Sequence, residues 1–515
     1  MALRKNLCFY CLLLLVVKVS HAQDLRGPGG EKFSSRILCR NLSDPWEILY
    51  GPDNFLWATE SRGYTVSRIN TITGERKVVL DLSEQREFPR YDKIPDEQDG
   101  GKPWPQGGLM GMSLHPQFLK GKPYVYLTYI YHYEGARDTG EGGRPNWGGH
   151  HFKARLVRYR YNSAEQKLDH PITLCDTIPA SNDHNGGRLL VAPVKGNCYL
   201  FYSIGDMGAG QFENGGQPNQ AQNIQKYEGK ILRFNTEPDE DKNEYDRWIP
   251  NDNPFNSSSQ NAVWSYGHRN PQGLSYARIK GTDFLFSAEH GPFGDDEINI
   301  IEKGKNYGHP LIEGYNDDNY NGFAAAASDR KTLPGIWHTT YPLITSEREN
   351  AQKIGPANYR DPIKSFYPAA NSYLRQLLTT IRDSPRSKAD WPALAPSSIA
   401  VYTNAAIPGW NHSLLISSLK EGKLVRLKLS AAGDQLIGDT LNYFKAKVRY
   451  RDMAISPDGK KIYLATDSST VTSGPSGEDP EGSKLRGVII ELAYKGSVQA
   501  AESNKEKAWL RRNRH

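Results

Sequence analysis

The chain has 515 residues, of which 64 are basic and 58 acidic, giving a formal net charge of +6. That balance, with no basic stripe interleaved with aromatics, argues against nucleic-acid binding. A hydrophobic share of 37% and an aromatic share of 11% suffice for a large core, and 48 glycines with 32 prolines indicate many turns. At the N-terminus Arg4 and Lys5 precede an apolar run over residues 7–17 and then Ser20-His21-Ala22. Residues 1–22 read as a cleaved secretory signal, and hence a secreted or periplasmic protein. No other segment is apolar for long enough to cross a membrane as a helix. Cys8 and Cys11 leave with the signal. Cys39, Cys175 and Cys198 remain, so at most one disulfide forms and cysteines do not frame the fold.

From there a turn followed by a strand recurs six times. Gly51-Pro52-Asp53-Asn54 leads into 55–58, Leu114-His115-Pro116 precedes 124–127, and Leu190-Val191-Ala192-Pro193 precedes 199–202. Gly273-Leu274-Ser275 precedes 284–286, Ile399-Ala400-Val401 precedes 414–416, and Ile455-Ser456-Pro457-Asp458-Gly459 precedes 462–464. These units are rich in β-branched and aromatic residues and predict an all-β fold, a six-bladed propeller. A β-sandwich would account for the strands but not for the sixfold recurrence. The uneven spacing requires long inserted loops at 85–105, 134–150, 319–342 and 348–390, with helical character around 374–381. One domain is expected over 23–496, followed by a basic, disordered tail over 497–515.

Residues 264–318 hold the densest chemistry. His268, Arg269 and Asn270 crowd one turn, and Gly291-Pro292 then breaks the chain and leaves carbonyls facing outward. Asp295, Asp296, Glu297, Asp317 and Asp318 follow, and such oxygens on irregular backbone suit a hard cation such as calcium. An arginine beside a metal suits an oxyanion or a quinone oxygen. Asp183 and His184 stand on a loop just before a strand, and Asp206 follows the next one. Strand alternation sends Arg449 and Arg451 to one face, with Tyr450 on the other, and paired guanidiniums fit a polycarboxylate. The same residues also read as solvated acidic turns, a structural histidine and a surface strand.

GHRNPQGL, GPxxDDEIN, KGxNYGxP and GYxDD, in this order, resemble the soluble pyrroloquinoline quinone (PQQ) glucose dehydrogenases of the glucose/sorbosone dehydrogenase family. The similarity runs from about Asn41 to about Tyr494. It implies PQQ and Ca2+ as cofactors and oxidation of the C1 hydroxyl of an aldose such as glucose to the lactone. Electrons would pass to an external acceptor (quinone, cytochrome or dye), and a homodimer is among the assemblies it allows. It further implies His184 as catalytic base, Asp206 as its orienting partner and Arg269 at the developing charge. Gln106, Asp183, Gln211, Phe212 and Trp391 would line the sugar pocket. Arg269, Asn270, Gln272, Lys420, Arg449 and Arg451 would hold PQQ. Gly291 and Pro292 would bind the catalytic calcium through carbonyls. Glu297, Tyr307, Glu313, Tyr315, Asp317 and Glu347 would bind a structural one, in part through backbone oxygens.

Three departures from the family pattern stand out: His290 replaces a glutamine, Lys388 replaces an aromatic, and a cysteine pair in that loop is missing. No GxGxxG fingerprint of a flavin or nicotinamide enzyme competes. A non-catalytic calcium-binding propeller and a calcium-dependent lactonase remain open as alternatives.

Overall fold

Each of the six recurring phrases folds as an inner strand, a connection of two to ten residues and a second strand. In blade 1, Pro45–Tyr50 pairs antiparallel with Phe55–Glu60, placing Leu49 opposite Trp57. The turn between them puts Asn54 at φ 64°, a left-handed conformation that asparagine tolerates. Thr65–Asn70 and Arg76–Asp81 complete that four-stranded sheet. The computed structural model describes residues 23–86, 107–132, 152–211, 214, 217–325, 341–383, 391–468 and 482–497. The expected signal, most of the loop at 85–105, all of that at 134–150 and the tail beyond Ser497 lie outside those residues.

Blade 2 comprises Leu109–Leu114, Tyr124–Ile130, Phe152–Asn162 and Lys167–Ala180; blade 3, Leu189–Val194, Asn197–Ile204, Lys230–Asn235 and Val263–Tyr266. Blade 4 comprises Pro271–Ile279, Thr282–Glu289, Asp296–Ile300 and Lys364–Phe366; blade 5, Pro396–Tyr402, Ser413–Ser418, Leu424–Leu429 and Leu436–Tyr443. Blade 6 draws on both ends of the chain. Tyr450–Ile455, Lys461–Thr466 and Ile489–Ser497 are joined by Glu31–Cys39 and Gln23–Arg26, with Phe33 opposite Tyr494. Closing the ring with the N-terminal strands leaves no large sheet edge open between blades. Ser497 still pairs with Glu31, so the last strand takes in the first residue of the expected tail.

The core lies between blades, because successive side chains of a strand point to opposite faces of its sheet. Leu200 and Leu232 of blade 3 pack toward Tyr126 and Leu156 of blade 2. Their sequence neighbours Phe201 and Ile231 pack the other way, against Leu274 and Leu285 of blade 4. The same division gives apolar layers between every other neighbouring pair. Since both faces of the second strands are covered, each ends in an unbroken buried run of five or six residues.

Where the six inner strands converge, the filling is ionic. The buried Arg188 guanidinium lies 2.9 Å from Asp452 and 3.3 Å from Glu47. It also donates to the carbonyls of Gln272 and Ser397. Glu47 accepts from Met112 N–H and Asp452 from Ile48 N–H, both at 2.7 Å. One arginine thus ties blade 3 to blades 1, 4, 5 and 6.

An extra layer lies over blade 4. Helix α1 (Glu347–Ile354) starts at Ser346, whose hydroxyl accepts from Glu349 N–H. Helix α2 (Asn371–Asp383) matches the helical character expected there, whereas α1 was not foreseen. Phe293, Tyr320, Phe323, Leu374 and Leu378 form a separate apolar cluster beneath this layer. Cys39, Cys175 and Cys198 are all free thiols.

Candidate active site

The loops that enter inner strands and leave second strands all emerge on one face of an antiparallel propeller. His184, Asp206, Arg269, Gly291, Trp391 and Lys420 stand on these loops. Glu297 instead lies on the third strand of blade 4, and Tyr307, Glu313, Tyr315, Asp317 and Glu347 on the connection from it to the fourth. His184 takes φ +49°, and its N–H donates to Asp183 Oδ1 at 3.1 Å. Its ring Nδ1 lies 2.7 Å from Asp206 Oδ1. Because an ionised carboxylate only accepts, Nδ1 carries a proton, and in the neutral ring it is then Nε2 that holds the lone pair. Gly205 is required between the two loops: a Cβ there would come within 2.0 Å of the His184 carbonyl oxygen. Both His184 and Asp206 are buried.

Asp206 receives more donors than a simple pair would give. Gly208 N–H donates to Oδ1 at 3.0 Å. Oδ2 accepts from Asn219 Nδ2 at 3.1 Å, His309 Nε2 at 3.0 Å and the Tyr341 hydroxyl. Burial alone would push Asp206 up, but His184 and His309 outweigh it and hold the carboxyl far below its ordinary range. His309 and Tyr341 were not among the sequence-derived candidates. They lie 103 and 135 residues from Asp206, so no local pattern links them to it.

The cationic turn enters from blade 4. Arg269 Nη2 donates to Gln211 Oε1 at 3.0 Å, and Gln211 Nε2 lies 3.5 Å from His184 Nδ1. Asn270 Oδ1 accepts from Gly186 N–H at 3.1 Å. Arg269 Nε and Asn270 Nδ2 are buried and meet no hydrogen-bond partner among the described residues. Orphaned donors of this kind are costly unless a bound group accepts from them. The His290 carbonyl accepts from Arg269 Nη1 at 3.3 Å, and His290 Nε2 donates to Pro396 O at 3.0 Å. Burial, then Arg269, His184, Arg451 and Arg449, hold His290 well below its ordinary range, so this histidine is neutral.

Arg449 and Arg451 do share a face, but both grip one carboxylate. Asp467 accepts from Arg449 Nε at 2.8 Å and from Arg451 Nε and Nη2 at 2.8 and 2.9 Å. Arg451 Nη1 also donates to Gln272 Oε1 at 2.9 Å. The two arginines are therefore buried and braced, not a solvated surface face. Lys420 donates to the Trp391 carbonyl and lies 5.3 Å from that indole ring, while Trp391 meets Phe293 edge-on at 5.4 Å. Gln106, Phe212 and Lys388 lie outside the described residues.

The acidic residues divide in two. Asp296 accepts from the N–H groups of Gly291, Leu394 and Ala395, and Asp295 from Ser365, Asn319 and Ala369. Asp318 accepts from Ser346 and Arg348 at the start of α1. These three, read from sequence as part of a cation-suited turn, are engaged in fastening loops, because backbone amides compete for their oxygens. Burial raises Asp295 to about 7 and Asp296 to about 6 as well; Glu297 and Glu347 differ in that both also face Glu313. Gly314 N–H bonds Glu297, and Glu313 N–H bonds Glu347, both at 2.9 Å. Burial and then the facing Glu289 push Glu297 well up, and burial pushes Glu347 up to about 8. A bound cation would relieve this crowding.

Tyr307 commits its hydroxyl to Ile300 O at 2.6 Å, which leaves its carbonyl as the available ligand. Tyr315 is half-buried and Asp317 exposed. Among the described residues no three His, Cys, Asp or Glu side chains already converge as a metal cage. A calcium here would need the backbone oxygens as well.

A braced imidazole, its Nε2 3.9 Å from Asp183 Oδ1, stands beside orphaned guanidinium and amide donors, an arrangement suited to accepting a proton next to a bound anionic group. This layout, on a six-bladed propeller, is of a dehydrogenase kind. The family model for "Glucose / Sorbosone dehydrogenase" matches residues 42–345 and 375–472. The chain belongs to the glucose/sorbosone dehydrogenase family. It is 33% identical over 484 residues to quinoprotein glucose dehydrogenase B of Acinetobacter calcoaceticus, spanning 90% of this chain and 92% of that protein. It is 28% identical to aldose sugar dehydrogenase YliI of Escherichia coli, over 84% of this chain and 90% of that one. A PQQ-bound aldose sugar dehydrogenase from Streptomyces coelicolor shares the fold, with a TM-score of 0.56 and 22% identity, covering 91% of this chain and all (100%) of that one.

Proposed function

We propose that the protein is a secreted or periplasmic, PQQ- and calcium-dependent enzyme that oxidises the C1 hydroxyl of an aldose to the lactone. One observation carries the reading: the His184–Asp206 pair at 2.7 Å lies beside the orphaned Arg269 Nε and Asn270 Nδ2. PQQ, when bound, would supply the acceptor for the hydride leaving C1, which carries both electrons, with an external acceptor as their final destination. Arg269, Asn270, Gln272, Lys420, Arg449 and Arg451 would hold it, with calcium on the Gly291 and Pro292 carbonyls. His184 Nε2 takes the proton from the O1–H bond as the C1–O double bond forms. Asp206 keeps the ring in the tautomer that leaves Nε2 free and stabilises the imidazolium as it appears. Arg269 supplies fixed positive charge where negative charge grows. Trp391 offers an aromatic face to the sugar ring, with Asp183 and Gln211 as polar contacts.

The lactonase reading would need free carboxylates around the central channel. There Glu47 and Asp452 are paired with Arg188 instead. The deciding experiment is dye reduction by cofactor-free, chelated protein with a panel of aldoses, adding PQQ and calcium separately and together. Turnover is expected only with both present. Full turnover without either would overturn the proposal.

A further inference from the structure

His309 lies between two buried carboxylates. Its Nε2 is 3.0 Å from Asp206 Oδ2 and its Nδ1 is 2.6 Å from Glu313 Oε1. The ring cannot drift, because the backbone is fixed on both sides. His309 N–H donates to Gly267 O at 3.0 Å, and His309 O accepts from Gln222 Nε2 at 2.7 Å. Tyr341 packs edge-on against the ring at 5.4 Å. The chain His184–Asp206–His309–Glu313 is thus continuous from the proposed base to the acidic layer over blade 4, and each member is buried.

A carboxylate turns easily about its Cβ–Cγ bond, so holding its plane requires donors fixed at both oxygens. At Oδ1 the partners are His184 and Gly208 N–H. At Oδ2, Asn219 is an amide on a loop and Tyr341 a rotatable hydroxyl. Among the described residues, His309 is the donor whose far side is bonded to a second buried carboxylate. We propose that His309 is a positioning residue for the His184–Asp206 pair. It fixes the Asp206 plane, and so the ring orientation and tautomer of His184, through a bond anchored at Glu313. The proposal rests on His184 as the base of the reading above, and it adds a residue to that site.

Two substitutions divide the contacts. His309→Gln places an amide N–H near the position of Nε2 and keeps a donor to Asp206. His309→Asn places its amide near the position of Nδ1, reaching Glu313 but not Asp206. Two readouts are made on each. One is the ¹⁵N spectrum of the His184 ring in cofactor-free protein, assigned with His184→Ala. The other is single-turnover reduction of bound PQQ by glucose, together with PQQ affinity and thermal midpoint. His309→Asn is expected to lose the single Nδ1–H tautomer and to slow reduction about 10- to 100-fold, less than loss of a positioned general base would cost, about 10²–10⁴-fold. PQQ affinity should stay near wild type. His309→Gln should recover most of both readouts.

If His309→Asn keeps the wild-type tautomer and rate, the proposal is overturned. It is also overturned if both variants slow equally and only in proportion to lost thermal stability, since that is a packing role. Should neither variant fold, Glu313→Gln keeps an acceptor to His309 and Glu313→Ala removes it. A His184 spectrum unchanged in Glu313→Ala would then overturn the proposal. If the wild type reduces PQQ with no aldose while the tautomer still changes in His309→Asn, the catalytic reading fails and the positioning role stands.

Discussion

The Asp206 N–H donates to the Arg269 carbonyl at 2.8 Å. This one bond joins the loop that leaves blade 3 to the turn that enters blade 4. It fixes the distance between the carboxylate that orients the base and the guanidinium set for the developing charge. His184→Ala should therefore remove the base without disturbing that frame. PQQ affinity is expected to remain near wild type, while the rate of PQQ reduction by glucose falls about 10²–10⁴-fold. Stopped-flow reduction with saturating cofactor is the measurement, and a wild-type rate would remove His184 from the mechanism.

The three cations differ in what they lose. Arg449 and Arg451 hold Asp467, which burial would raise but which the two guanidiniums keep below its ordinary range. Removing one partner of a buried pair costs about 3–5 kcal/mol, and the arginine that remains on Asp467 puts this case at the low end. Arg451→Ala should lower both the thermal midpoint and PQQ affinity. Lys420→Ala, at a half-exposed position, should weaken PQQ binding with little change in midpoint. Calorimetric melting and PQQ titration on both variants separate the two effects.

Glu297, Glu313 and Glu347 crowd carboxyl groups into a buried layer that disfavours the ionised forms of Glu297 and Glu347, so a cation that binds only the folded state should stabilise it. At a hundredfold excess over Kd this amounts to about 2.7 kcal/mol. Added calcium is expected to raise the midpoint of chelated protein, and magnesium, which prefers a smaller octahedral site, to do so less. Glu347→Gln should reduce the calcium response and raise the midpoint of the chelated protein. An unchanged calcium response in that variant would exclude Glu347 as a ligand.

The central Arg188 cluster predicts a pH dependence. Burial pushes Glu47 up to about 8, with Arg188 opposing and Asp452 reinforcing the shift. A raised carboxyl binds its proton more tightly folded than unfolded, so its contribution to stability is complete below about pH 4.3 and is lost as pH rises through about 8. Glu47→Gln keeps an acceptor for Met112 N–H and removes the titration. Thermal midpoints between pH 5 and 8 should fall less steeply in Glu47→Gln than in wild type. Identical slopes would show that Glu47 is already ionised in the fold.

Sequence alone determined the propeller and much of the candidate site. Strand alternation and turn residues are local, so the six phrases at 50–58, 114–127, 190–202, 273–286, 399–416 and 455–464 were each legible where they stood. The motif GHRNPQGL marked Arg269, and the wider resemblance implied His184, Asp206 and the Arg449/Arg451 pair. What only the tertiary structure decided are the contacts between loops from different blades. Nothing in the sequence around His309 or Tyr341 shows that they close on Asp206, because those bonds span more than a hundred residues. Nor could composition show that Asp296 takes three backbone amides and Asp295 the Ser365 hydroxyl and Asn319 amide, while Glu297 and Glu347 close on Glu313. An acid's role depends on which donors the fold brings to it, and in a ring of blades those donors come from distant parts of the chain.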